Sequence, residues 1–206
     1  EIKKILTRDK MVEGIETAEG KFYKADYLIT NADPIYTNTN LIEHKKISLH
    51  NKFVKKTAKH SMGLFVLFFG TKVKYEDIAH HTIWMGPRYK ELLSDIFDRY
   101  KLSEDFSIYL HRPTATDPDF APTGCDSFYA LVPVPNLKGN ISWKEEAPKF
   151  TQSIIKALEQ TMMPKLSEYI CESFVMTPDD FLQDYNTPFG SGFSIAPLFR
   201  QSAWFR

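Results

Sequence analysis

Six histidines, two cysteines and the acidic pairs Glu145-Glu146 and Asp179-Asp180 are among the residues of this chain whose types could do chemistry. His44, His50, His60, His80, His81 and His111 show no HxH, HxxxH or HExxH spacing, the patterns that put imidazoles on one face of an element. Adjacent His80 and His81 on a strand would point to opposite faces, which argues against joint ligation, so no metal site is expected. Cys125 and Cys171 stand alone without metal-ligand spacing; two reduced, buried thiols are expected, as is usual in a cytoplasmic protein. Glu145-Glu146 and Asp179-Asp180 fall in the first turns of expected helices, where the helix dipole accounts for them. The run Gly190-Ser191-Gly192-Phe193-Ser194-Ile195 opens like a dinucleotide fingerprint, but it lacks the third glycine and follows a loop, not a strand. No catalytic residue can be assigned from these groups.

The elements that would position them alternate without a strict βαβ rhythm. Residues 1–34 read as a β-meander, with apolar stretches at 2–6, 12–17 and 22–30 separated by turn chemistry. Its last part, Tyr27-Leu28-Ile29-Thr30, is a short hydrophobic strand that stops at Asn31-Ala32-Asp33-Pro34. Such a corner either presents backbone to a ligand or is a tight turn held by its Asx side chains. Residues 35–60, with Lys45, Lys46, Lys52, Lys55, Lys56 and Lys59, read as a solvated helix or loop. Strands are expected at 61–70, buried on both faces, and at 80–85, 107–111, 128–134 and 170–176. Helices are expected at 88–100, where Leu92, Leu93, Ile96 and Phe97 share a face, and at 143–163, carried by Phe150, Ile154, Leu158 and Met162. Thr177-Pro178-Asp179-Asp180 is a helix start, with a capping hydroxyl, Pro at the first position and a carboxylate three residues on. The fold class is therefore α+β (mixed α/β), a mixed β-sheet covered by helices and preceded by the meander.

Composition narrows the partners. The chain of 206 residues has 26 Lys and Arg against 26 Asp and Glu, so it lacks the cationic surplus that a nucleic-acid-binding surface needs. With 43% apolar and 25% charged residues it should fold. The longest apolar run, 62–69, is interrupted by Gly63 and is too short to span a bilayer. The first residue is Glu1 and the last are Ala203-Trp204-Phe205-Arg206; apolar ends without an initiating Met are expected of a segment of a longer protein. Sixteen Phe, ten Tyr and three Trp serve a packed core and an apolar tunnel equally well.

Several segments, taken in order, carry a family resemblance. Val12-Glu13-Gly14-Ile15-Glu16-Thr17, Gly20, Ala25-Asp26 and Leu28-Ile29-Thr30-Asn31-Ala32-Asp33-Pro34 resemble the re-entry into the flavin domain in FAD-dependent amine oxidases and carotenoid desaturases. The Asn-Ala-Asp ending is similar to the bacterial and fungal phytoene desaturase branch. So are Ala79-His80-His81-Thr82-Ile83, Thr116-Asp117-Pro118, Ala121-Pro122-Thr123-Gly124 and Leu131-Val132-Pro133-Val134-Pro135 before Trp143. Thr177 to Phe181, and Gly190 on to Gln201-Ser202-Ala203-Trp204-Phe205-Arg206, complete the set. The resemblance implies an FAD-dependent oxidoreductase that introduces double bonds into a long polyene by hydride transfer to flavin.

In that family the GxGxxG pyrophosphate loop and a C-terminal flavin-contacting segment lie outside the stretch matched here. Residues 1–34 would then be part of an FAD-binding domain and 35–206 a substrate-binding domain whose last residues head back to it, the piece alone being inactive. Asn31, Ala32 and Asp33 are the implied FAD contacts. A hydrocarbon without polar handles calls for an apolar channel, for which Phe65, Leu67, Phe69, Trp84 and Phe189 are the candidates. A substrate drawn from lipid implies a cytoplasmic protein peripheral to the membrane, with the lysines of 45–59 either meeting anionic headgroups or simply solvated. Two alternatives stay open: a noncatalytic domain binding an apolar lipid or partner, and a carotenoid isomerase or saturase of the same family.

Overall fold

The computed structural model of the chain describes residues 1–9, 11–42 and 57–201. Its first strands, β1 (Ile2–Arg8), β2 (Met11–Thr17) and β3 (Phe22–Lys24), form the expected antiparallel meander. Gly14 lets β3 approach: a Cβ there would lie 2.2 Å from the Tyr23 carbonyl oxygen. The apolar stretch at 27–30 is not a strand. No described segment pairs with it, and Tyr27 and Ile29 are 91% and 97% exposed; a strand exists through its ladder, and the described residues offer it none. The backbone then turns into a short helix, α1 (Pro34–Tyr36), capped by Asp33, whose Oδ1 accepts the Tyr36 N–H at 2.8 Å. A wide turn through Thr37–Leu41 follows, burying Leu41, and Ile42 bridges back to Ile5.

The second sheet holds β4 (Gly63–Thr71), β5 (His81–Trp84), β6 (Ile108–His111), β7 (Asp126–Val134) and β8 (Ile170–Met176) in the order β5-β6-β7-β4-β8. Every ladder in it is antiparallel, so the sheet is not mixed in its pairings. The reason lies in the connections. β7 and β8 run parallel to one another and are joined by a helical crossover, but β4 lies between them and pairs antiparallel with both. The crossover is α3 (Trp143–Thr161), followed by the single turn α4 (Leu166–Tyr169); α2 (Tyr89–Phe97) joins β5 to β6.

The core lies between α3 and one face of this sheet. Trp143, Ala147, Phe150, Ile154 and Leu158 follow a helical period and are buried. Opposite them, strand alternation presents Phe65, Leu67 and Phe69 from β4, Ile108 and Leu110 from β6, and Phe128, Ala130, Val132 and Val134 from β7. Phe65 meets Phe150 edge-on at 5.0 Å, and Phe69 stacks on Phe128 at 5.1 Å.

At the rim of that core the β6–β7 connection is fixed by a buried ion pair. Arg112 Nε and Nη2 donate to the two carboxylate oxygens of Asp126 at 3.1 and 3.2 Å. Thr114 Oγ1 and the Tyr75 N–H donate to the same carboxylate at 2.7 Å each, and Arg112 Nη1 donates to the Ile78 carbonyl at 2.9 Å. With every polar atom engaged, the pair escapes the desolvation cost that a lone buried charge would carry.

The last helix, α5 (Pro178–Tyr185), starts as its sequence requires. The Thr177 N–H and hydroxyl both donate to Asp180 Oδ2 at 2.7 Å, and Pro178 occupies the first turn. No helix among the described residues is long and apolar enough to cross a membrane.

Candidate functional site

The face of the five-stranded sheet that α3 does not cover carries an aromatic strip. Strand alternation and register put Phe174 of β8 opposite Phe68 of β4, Phe68 opposite Tyr129 of β7, Tyr129 opposite His111 of β6, and His111 opposite His81 of β5. The rings touch in sequence. Phe174 stacks on Phe68 at 4.6 Å, Phe68 meets Tyr129 at 5.7 Å, Tyr129 meets His111 at 4.7 Å and Tyr109 at 5.8 Å, and Tyr109 stacks on His81 at 5.9 Å. At a strand spacing of about 4.8 Å the strip is roughly 19 Å long. Phe174 is 60% exposed and the rings of Phe68, Tyr109 and Tyr129 are half-buried, with Leu131 beside them. Burial, and next the hydrogen bond with Tyr109, push the Tyr129 phenol up to about 12, so it stays a neutral hydroxyl.

One end of this face is closed by the loop that follows α5. Gly190 adopts φ 61°, and a Cβ there would fall 2.0 Å from the Pro178 carbonyl oxygen. The segment then runs antiparallel to the residues before β4: Gly192 N–H donates to the Met62 carbonyl, Phe193 N–H to Ser61 Oγ and Ser61 N–H to the Ser194 carbonyl, each at 2.9 Å. Leu64, packed against Gly192, is thereby buried, and Val66 next to it on the same face is buried as well.

Ser194 also ties this seam to the meander corner by donating to Asp33 Oδ2. With Tyr36 N–H on its other oxygen, the Asp33 carboxylate is fully used in holding the corner. Asn31 and Ala32 remain exposed there, although the Ala32 N–H is drawn toward Thr30 Oγ1 at 3.3 Å. They border an open cavity of about 310 Å³ lined also by Ile5, Ile15, Leu28 and Tyr185.

At the other end of the strip three histidines converge. β5 begins at His81, and His80 sits in the bend before it, so strand alternation does not hold its ring away. His80 Nε2 lies 2.8 Å from His111 Nε2, His80 Nδ1 contacts Thr116 Oγ1, and His81 Nδ1 lies 2.7 Å from the Tyr109 hydroxyl. The expectation that His80 and His81 face apart is thus overturned. Burial, followed by the proximity of His80 and His81, lowers the His111 pKa.

The other residues singled out in the sequence are dispersed. Phe65 and Leu67 are fully buried and Phe69 nearly so, all against α3, because odd positions of β4 face the core. Trp84 packs on the same side, edge-on to Phe106 at 6.1 Å. Phe189 is apart from both, edge-on to His60 at 5.0 Å with the Lys138 ammonium 4.8 Å above its ring. Neither thiol is buried as expected: Cys171 is exposed on the edge strand β8 and Cys125 is half-exposed. Lys45, Lys46, Lys52, Lys55 and Lys56 lie outside the described residues, as do residues 202–206. Phe68, Phe174, Tyr109 and Tyr129 were not anticipated, although the alternation of Tyr129 with Phe128 and Ala130 could have marked a second face.

The comparisons with known proteins can be set against this geometry. A crystal structure of an oxidoreductase from Methanosarcina mazei superposes with a TM-score of 0.53 at 15% identity, covering 86% of this chain and 36% of that one, a likeness of fold alone. No protein-family model matches the chain. A phytoene desaturase (neurosporene-forming) of Rhodobacter capsulatus is 41% identical over 207 residues, covering 98% of this chain and 40% of that protein. A phytoene desaturase (lycopene-forming) of Pseudescherichia vulneris is 40% identical over 207 residues, covering 100% and 42%. The shared fold is one of antiparallel sheets and helices. The chain belongs to the phytoene desaturase family and spans about two fifths of the length of the relatives it matches.

Proposed function

We propose that this chain is the central, substrate-facing portion of an FAD-dependent phytoene-type carotenoid desaturase, and that the polyene lies along the aromatic strip. The observation that carries the reading is a continuous row of ring faces left open on a sheet whose other face is sealed. A long hydrocarbon has no polar handle, so it is held by apolar area and oriented by shape. A straight strip of about 19 Å suits an extended chain better than a compact ligand. The placement shifts the substrate-contacting role from Phe65, Leu67, Phe69 and Trp84, which build the rigid platform beneath, to Phe68, Phe174, Tyr109 and Tyr129. Phe189 keeps a place at the rim.

Desaturation removes two hydrogens from a saturated carbon pair, and no protein side chain accepts a hydride; a bound flavin supplies that acceptor. The chain contains no GxGxxG loop, so its fit to FAD is partial. Asn31 and Ala32 offer exposed backbone at the corner, and Asp33 holds that corner in shape. Residues 1–34 then belong to the cofactor side and 35–206 to the substrate side, with the Asp33–Ser194 hydrogen bond tying them together. A lipid-dissolved substrate also fits peripheral contact with a membrane.

The test uses the full-length enzyme with bound FAD and phytoene in liposomes. Phe68→Ser combined with Phe174→Ser is expected to lower the desaturation rate at least tenfold while flavin content holds and the melting temperature falls by only a few degrees. A wild-type rate would remove the polyene from this face. Failure of the unaltered enzyme to convert phytoene would remove the activity.

A further inference from the structure

We propose that His80, His81 and His111 form a binding site for a divalent transition-metal ion of the zinc class at the β5–β6 edge of the sheet. One ring nitrogen from each lies within 4.8 Å of the others. Tetrahedral zinc with Zn–N bonds of about 2.0–2.1 Å holds its ligand nitrogens about 3.4 Å apart. His80 and His111 at 2.8 Å are slightly closer than this, and ring displacements of about 1 Å bring all three to the required spacing.

The surroundings select the nitrogens. His80 Nδ1 lies against Thr116 Oγ1 and His81 Nδ1 against the Tyr109 hydroxyl. An Nδ1–H donated to each oxygen leaves Nε2 of both rings with a free lone pair, the arrangement by which outer partners fix a metal-binding tautomer. His111 Nε2 faces His80 Nε2, so in the ion-free state one proton lies between two nitrogens that a metal would bind. His111 Nδ1 is buried and has no hydrogen-bond partner among the described residues. It can take that proton, so binding requires a tautomer shift at His111 and no net proton loss.

The donor set defines the class of ion. Three neutral imidazoles with no carboxylate among them suit zinc, copper or nickel and not the oxygen-seeking magnesium or calcium. Three protein ligands leave a fourth position, and exposed His81 keeps it open to solvent. The framework is rigid where it needs to be. His81 and His111 are paired across β5 and β6, and Thr116 sits on the connection that the Arg112–Asp126 pair anchors. An ion here would clamp β5, β6 and that connection together. This inference does not depend on the desaturase reading, because metal binding and not turnover is measured.

Full-length, tag-free protein stripped with a chelator is titrated with Zn(II) by calorimetry and with Co(II) by visible absorption. One saturable equivalent of Zn(II), and the d–d bands of four-coordinate Co(II), are expected. His81→Ala alters an exposed side chain and leaves the fold intact; it should weaken binding at least tenfold. Thr116→Val should weaken it about tenfold by releasing the His80 tautomer. Absence of saturable binding to the unaltered protein, or affinity unchanged in His81→Ala, overturns the site.

Discussion

The two faces of the five-stranded sheet are built from the same kinds of residue and do opposite things. Phe65 and Phe68 lie three positions apart on β4, yet one is fully buried against α3 while the other stacks on exposed Phe174. The inner face is closed by a 19-residue helix with apolar positions at helical spacing; among the described residues the outer is covered only along one flank, by the seam of 190–196. Aromatic character therefore does not separate core from binding surface. What separates them is whether an amphipathic element of the same chain is supplied to cover them.

Breaking the inner face should cost the most. Asp126→Ala leaves the Arg112 guanidinium buried without its carboxylate and frees the Thr114 hydroxyl and Tyr75 N–H. A loss of about 3–5 kcal/mol is expected, measured as a shift in urea midpoint; a change below about 1 kcal/mol would show that water replaces the carboxylate. Phe65→Ala should likewise cost about 3–5 kcal/mol, since its ring is enclosed by Trp143 and Phe150. Phe68→Ala sharpens the contrast. Its stacked contact with Phe174 is worth about 0.5–1.5 kcal/mol, so stability should fall by about that amount while turnover of the full-length enzyme falls far more. Equal stability losses at 65 and 68 would erase the distinction between the faces.

The strands of the five-stranded sheet and α3 were legible in the sequence to within two residues, because turn chemistry brackets each strand and α3 carries a strong helical period, whereas α2 stops three residues short of the expected position 100. The faces were not. β4 reads Gly-Leu-Phe-Val-Leu-Phe-Phe-Gly-Thr, apolar at nearly every position, so its own pattern does not distinguish odd from even residues. Pairing decides: β7 alternates strictly, and its register sets Leu67 opposite buried Ala130 and Phe68 opposite half-exposed Tyr129. The histidine cluster was illegible for a similar reason. His81 and His111 meet only through the β5–β6 pairing, 30 positions apart, and His80 joins them because it precedes the strand. The Tyr27–Thr30 stretch shows the reverse, a strand-like sequence without a partner among the described residues. At the corner Asp33 serves the turn, as the Asx reading has it, and Asn31 and Ala32 stay exposed.

The seam that closes one end of the outer face offers the smallest and most specific test. His60 bridges to Ile195 in this seam and is buried, with Nδ1 lacking a partner among the described residues. Burial, followed by the nearby Lys138, lowers its pKa below the ordinary value of 6.5, against a weaker opposing pull from Asp33. In the unfolded chain His60 takes up its proton at that ordinary value, and in the folded protein only at lower pH. The unfolded state therefore binds more protons as pH falls through 6.5, and the stability contributed by neutral His60 is full above that pH and lost progressively below it. Between pH 7.5 and 5.5 the melting temperature should decline, and His60→Gln, which cannot take up a proton, should remove His60's share of the decline. An unchanged pH slope in His60→Gln would mean that the seam admits water to the ring. The flank of the outer face carrying Leu64 would then be as open as the aromatic strip beside it.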